Sequence, residues 1–166
     1  MIYFRQKGFT IIELMITLML ASIVVLMAVP SFARTINNNR VTTAVNDFST
    51  SLAFAKTEAV KRNRSVKLVS NSDDWVQGYS IGVDLNGDDD FSDSGETSLK
   101  IVEVAATNVT IDPVPNTLSV IEINNLGGLT NAGSIVFDSR SYACKRTINL
   151  NASGVYTLSK EREPCS

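Results

Sequence analysis

From Phe9 through Ala33 the chain carries one charge, Glu13, in a run that is otherwise uncharged and mostly apolar. Roughly 20 apolar residues rising about 1.5 Å each cover a hydrocarbon core of about 30 Å. The stretch from Phe9 to about Val29 therefore predicts a transmembrane helix. A carboxylate held in hydrocarbon costs about 3 kcal/mol on insertion scales, so such residues are rare and tend to be functional. Arg5 and Lys7 precede the run with no acid beside them, which keeps that flank in the cytoplasm and sends everything after Pro30 outward. A secretory signal peptide removed whole is the competing reading. Two features oppose it: the run is longer than a usual signal core, and no small-x-small cleavage site precedes polar sequence.

Beyond Pro30, helical periodicity resumes in SFARTINNNRVTTAVNDFSTSLAFAKTEAVKRN. Val41, Val45, Phe48, Leu52, Ala55 and Ala59 follow at steps of four and three, drawing a narrow apolar stripe down one face. The stripe ends before three heptads, so packing on the protein's own domain is expected in preference to a coiled coil. Pro30 removes one backbone hydrogen bond and crowds the preceding turn, which predicts a bend there. Helical from Phe9 to near Asn63, the segment would make a rod of about 80 Å.

After Asn63 the pattern changes to short β-like runs separated by Gly, Asn, Asp and Pro. Strands are expected at Ser65–Ser70, Trp75–Val83, Leu99–Ala106, Leu118–Asn124, Ser134–Phe137, Lys145–Leu150 and Val155–Ser159. A long helix followed only by hairpin-spaced strands gives an α+β fold, with the amphipathic half of the helix covering antiparallel sheet.

Charge excludes more than it assigns. Fifteen Lys and Arg against 17 Asp and Glu leave a formal net charge of -2, so no general attraction to nucleic acid is written into the composition. The chain has no histidine, which removes the commonest neutral-pH general base and the commonest metal ligand. No enzymatic activity and no cofactor are expected. The two cysteines, Cys144 and Cys165, would face an oxidising compartment, where a bridge between them is favoured. Closing such a loop contributes about 3 kcal/mol in the chain-entropy picture.

Two polar clusters have competing readings. In DLNGDDDFSDSGE, Asp84, Asn86, Asp88 and Asp90 alternate like the start of an EF-hand calcium loop. However, Asp89 stands where such a loop needs Gly, Gly95 where it needs Glu, and Glu96 comes one step late. A solvated turn rich in Asp, Asn and Gly is the alternative and the preferred reading. In KRNRSVK, Lys61, Arg62, Arg64 and Lys67 could contact phosphates. Cations at a helix C-terminus also complement its dipole and free carbonyls, and that role is expected here.

The stretch KGFTIIEL closely resembles the class III signal of type IV pilins and type II secretion pseudopilins. The resemblance implies cleavage after Gly8 by a prepilin peptidase, methylation of the new first residue, Phe9, and a glutamate at the fifth mature position, Glu13. It implies a leader at 1–8, a transmembrane and filament-core helix at 9–33, and a periplasmic globular domain at 34–166 on a bacterial inner membrane. The α-amino group freed on Phe9 would pair with the Glu13 carboxylate of a neighbouring subunit, while a Glu that merely snorkels to head groups is the plainer alternative. AKTEAVKRNRSVKL and DDWVQGYSIGVDLNGDDDFSDSGETSLKI further resemble the FimU/GspH/FimT group of minor pilins and pseudopilins. Partners implied are other minor pilins, the major pilin and the peptidase. FimU-like pilus assembly leads, with a GspH-like role in type II secretion and FimT-like DNA uptake as alternatives. FimT-type DNA receptors carry Gly-Arg-x-Arg near the C-terminus; Gly154, Val155, Tyr156 and Thr157 stand at the corresponding place, with both arginines absent. Lys145, Arg146, Lys160 and Arg162 lie nearby, with Glu161 and Glu163 interleaved.

Overall fold

The computed structural model describes residues 8–104, 108–115, 118–140 and 144–161. A single helix, α1, runs from Ile11 to Arg62 with Pro30 inside it. Eight strands follow among the described residues: β1 (Val66–Ser70), β2 (Tyr79–Val83), β3 (Thr97–Val102), β4 (Val109–Val114), β5 (Val120–Ile123), β6 (Gly133–Ser139), β7 (Lys145–Leu150) and β8 (Tyr156–Glu161). The fold is α+β, as the strand-after-helix order predicts.

The chain divides into two compact units, parted in sequence between Ile36 and Asn37. In the first, every described side chain from Phe9 to Met27 is exposed. It is the one helical stretch, among the described residues, long and apolar enough to cross a membrane. Residues apolar on all sides of a helix have no aqueous role, so this face pattern belongs to lipid or to neighbouring apolar helices.

The second unit holds two four-stranded antiparallel sheets, ordered β3-β2-β1-β5 and β4-β6-β7-β8. In the first, Leu68 of β1 lies opposite Ile81 of β2 on one side and Ile121 of β5 on the other. In the second, Ile135 of β6 pairs across to Ile148 of β7, and Ile148 to Leu158 of β8. The six stripe residues of α1, Val41 through Ala59, are all buried and join one core with residues of both sheets. Phe48 stands at its centre, 1% exposed. Its ring meets Trp75, Tyr79 and Phe137 edge-on at centroid distances of 5.4, 5.3 and 5.6 Å. Tyr79 belongs to one sheet and Phe137 to the other, so a single helical side chain touches both. Tyr79 adds a second tie, its hydroxyl lying 2.9 Å from Ser51 Oγ on α1. Burial, eased slightly by the Ser51 hydrogen bond, pushes the Tyr79 hydroxyl pKa up.

Two strand expectations need correction. Trp75–Gln77 is a 3-10 turn and not the start of a strand. The Asp74 carboxylate accepts from the Val76 amide at 2.9 Å, capping the turn, and the buried Trp75 indole donates to the Leu118 carbonyl at 2.8 Å. A tertiary hydrogen bond overrides the β propensity of Trp and Val here. Strand β4, absent from the expected set, contains Pro113. Proline is tolerated because β4 is an edge strand, with no second neighbour awaiting its missing N–H.

Truncating Phe48 removes the shared anchor of both sheets. Phe48→Ala in a fragment starting at Asn37 should lower the unfolding free energy by about 3–5 kcal/mol, whereas the exposed Asn46→Ala should stay within about 0.5 kcal/mol, both read from denaturant midpoints.

Candidate functional site

Gly8, Phe9 and Thr10 precede the helix and are exposed, Phe9 at 83%. The Thr10 hydroxyl oxygen accepts from the Glu13 amide at 3.3 Å, and the Thr10 carbonyl accepts the first helical bond, from the Leu14 amide at 3.2 Å. Thr10 is thus the N-cap of α1, and Glu13 is the third helical residue. That position sets a carboxylate among the free amides and the positive end of the helix dipole, which lessens the cost of its charge. The T-x-x-E spacing of a capping box, Thr10 to Glu13, is legible in the sequence itself. Deeper in the run, the Thr17 and Ser22 hydroxyls donate to the Leu14 and Met19 carbonyls at 2.8 and 2.7 Å. Their polarity is satisfied within the helix, as an apolar surrounding requires.

The acidic loop is organised differently from an EF-hand. Oxygens of Asp84, Asp88 and Glu96 lie within 4.8 Å of one another, so these three carboxylates are the ones that could approach a hard cation. Asn86 instead donates to Asp88 at 2.9 Å and Asp93 at 2.8 Å. Asp90 turns to the Phe91 amide and the Ser92 hydroxyl, contacts that hold its carboxyl below the usual range. Glu96 braces the loop from its far end, accepting from the Leu85 and Asn86 amides at 2.9 and 3.3 Å.

A cation is supplied by the protein itself. Lys67 on β1 reaches the Asp84 carboxylate at 2.7 Å and the Asp89 carboxylate at 2.6 Å. The Asp84 side chain is fully shielded from solvent. Its burial alone would raise the pKa, but the Lys67 ammonium and the Gly87 and Asp89 amides outweigh burial and lower it to about 2. Lys67 responds in the opposite sense: burial acts to lower its pKa, and the two carboxylates overcome that and raise it. Phe91 fastens the loop as well, its ring lying where a Cβ on Gly82 of β2 would stand.

The basic cluster therefore disperses. Lys61 and Arg62 pair with Glu58 one turn earlier, at 3.3 and 2.7 Å, and the Arg62 hydrogen bond leads in holding Glu58 below the ordinary carboxylate range. Lys67 belongs to the acidic loop. In the tail, Gly154 has a packing role: it is buried, its φ is +74°, and a Cβ there would run into the Gly127 carbonyl oxygen. Lys56 donates to the Gly154 carbonyl at 3.2 Å, tying this turn to α1. Arg146 stands opposite Lys160 across β7 and β8. Cys144 is buried and disulfide-bonded. Cys165, its expected partner, lies outside the described residues, as do Arg162 and Glu163.

A methylation-type N-terminus ahead of an exposed apolar helix, joined in sequence to an α+β body of two antiparallel sheets, defines the type IV pilin and pseudopilin class. A family profile described as "Prokaryotic N-terminal methylation motif" matches residues 3–29, and one described as "Type II transport protein GspH" matches residues 44–154. The second match spans more than half of the chain, and the protein belongs to the GspH family, within the FimU/GspH group of that class. The family is one of structural pilin and pseudopilin subunits, and the N-terminal motif implies processing by a prepilin peptidase and assembly with other pilins. Two solved structures of the type IV minor pilin FimU from Pseudomonas aeruginosa strain PAO1 share the fold. One has a TM-score of 0.62 at 20% identity, covering 76% of this chain and 90% of that one. The other has a TM-score of 0.58 at 19% identity, covering 75% and 93%. No curated protein matches by sequence.

Two outcomes test this geometry. A carboxyl with a depressed folded pKa stabilises the fold above its ordinary pKa near 3.8, and that stabilisation fades as pH falls toward about 2. Lys67→Met should lower the thermal midpoint of a fragment starting at Asn37 at pH 7, and the gap from wild type should narrow between pH 4 and pH 2 as Asp84 protonates. Reduction of the Cys144 disulfide should lower the same midpoint, seen by calorimetry with and without a reductant.

Proposed function

We propose that the chain is a minor type IV pilin of FimU-like type. It is inserted in the bacterial inner membrane with a cytoplasmic N-terminus and a periplasmic domain, is cut after Gly8 and is methylated on Phe9. It then joins other minor pilins in or beneath the pilus tip, where it primes polymerisation of the major pilin. The chain performs no chemistry of its own; it is the substrate of the peptidase.

The observation that carries this reading is Glu13, the lone charge in the exposed apolar stretch from Phe9 to Met27, placed just after the cleavage motif. An unpaired carboxylate and an unpaired ammonium are each costly in hydrocarbon, whereas together they form one neutral, hydrogen-bonded site. An incoming subunit offers its Phe9 amine, and the match favours a single axial register. The fold shared with FimU, itself a type IV minor pilin, supports the pilus branch. The GspH family match supports a second reading, a minor pseudopilin of a type II secretion system, in which the same amine and carboxylate would pair.

Glu13→Ala should leave cleavage intact, shown by the mass of the mature chain, while the protein disappears from sheared surface filaments. Normal incorporation would defeat the charge-pairing account. Loss of extracellular enzyme release with intact pili would assign the chain to the secretion branch.

A further inference from the structure

Thr10 is the one Ser, Thr, Asn or Asp among the first 13 residues, and hence the one side chain there able to cap a helix. Its hydroxyl takes the Glu13 amide and its carbonyl takes the Leu14 amide. α1 begins immediately after it, at Ile11, and Gly8 and Phe9 lie outside the helix. We propose that Thr10 is a positioning residue for proteolytic processing: its side chain stops the helix so that the Gly8–Phe9 peptide stays outside it and open to a peptidase. This rests on the reading of Gly8 as the cleavage site.

The physical case turns on one carbonyl. Were the helix to continue toward the N-terminus, the Ile12 amide would bond the Gly8 carbonyl four residues back, the group that hydrolysis must attack. Hydrolysis breaks the Gly8 C–N bond; water supplies the oxygen that completes the Gly8 carboxylate, and the Phe9 nitrogen leaves as an amine. A carbonyl already held inside a helical ladder is neither free to be polarised nor reachable from its face. With the cap removed, the helix grows outward and does not fray inward. Unwinding into hydrocarbon would strand amides away from water, whereas adding residues at the N-terminal end carries the free amides toward the wet interface. The direction of growth is over Phe9 and Gly8.

The test uses the full-length precursor in lipid nanodiscs with purified prepilin peptidase. Thr10→Val keeps the shape but removes the acceptor oxygen, and should slow cleavage about fivefold, the factor set by a typical N-cap loss. Thr10→Ser and Thr10→Asn, which restore an acceptor, should be cut at close to the wild-type rate. Hydrogen exchange should show the Ile12 amide open in wild type and protected in Thr10→Val. Wild-type cleavage of Thr10→Val, equal slowing of all three variants, or an Ile12 amide unprotected throughout would each overturn the role of the cap. Failure of the wild-type precursor to be cut after Gly8 would instead overturn the reading of the cleavage site.

Discussion

The edge-on contact of Phe48 with Tyr79 and Phe137 is the interaction on which the globular unit depends. The two sheets share no strand, so nothing in their hydrogen-bond ladders holds one to the other. A ring projecting from α1 touches both, with Trp75 closing a third side. Each aromatic pair contributes roughly 0.5–1.5 kcal/mol beyond the area it buries. This explains why the apolar stripe is narrow: one row of side chains one residue wide is enough when both sheets converge on it. At the C-terminal end of the stripe the residues are small: Ala55 and Ala59 are fully buried in the same core.

Electrostatics organise the surface by local neutralisation. A loop carrying six acids between Asp84 and Glu96 would repel itself if left bare. Lys67 enters from β1 and binds two of them, Gly87 and Asp89 amides satisfy Asp84, and Glu96 is turned inward onto backbone amides. Much the same logic holds at the end of α1, where Glu58 gathers Lys61 and Arg62. Three charges that looked like one basic patch in the sequence are divided between two tasks, Lys61 and Arg62 on Glu58 and Lys67 on the acidic loop.

The N-terminal unit follows a different rule. With its side chains exposed from Phe9 to Met27, its stability in water is of no consequence; what matters is that every polar group within it has a partner. Thr17 and Ser22 bond back into the helix, and Thr10 takes an amide of the first turn. Glu13 is an acid with no basic residue beside it in its own helix turn, Ile11 to Met15. A group left in that condition is suited to meet a charge from another chain, which is the physical basis of the assembly reading.

Sequence alone determined the apolar span, the register of Gly8, Phe9 and Glu13, the buried stripe from Val41 to Ala59, the α+β class and most strands. Each of these follows from a period or a spacing carried by consecutive residues: helical steps, strand alternation, or a motif read in order. Tertiary structure decided what depends on residues far apart in the chain. Trp75 forms a turn because Leu118 accepts its indole proton, β4 keeps its proline because it lies at a sheet edge, and Lys67 left its basic neighbours for Asp84 and Asp89. Gly154, too, serves packing because Gly127 stands against it. None of these partners is within reach of a periodicity argument, since long-range contacts exist only after the chain has closed its loops.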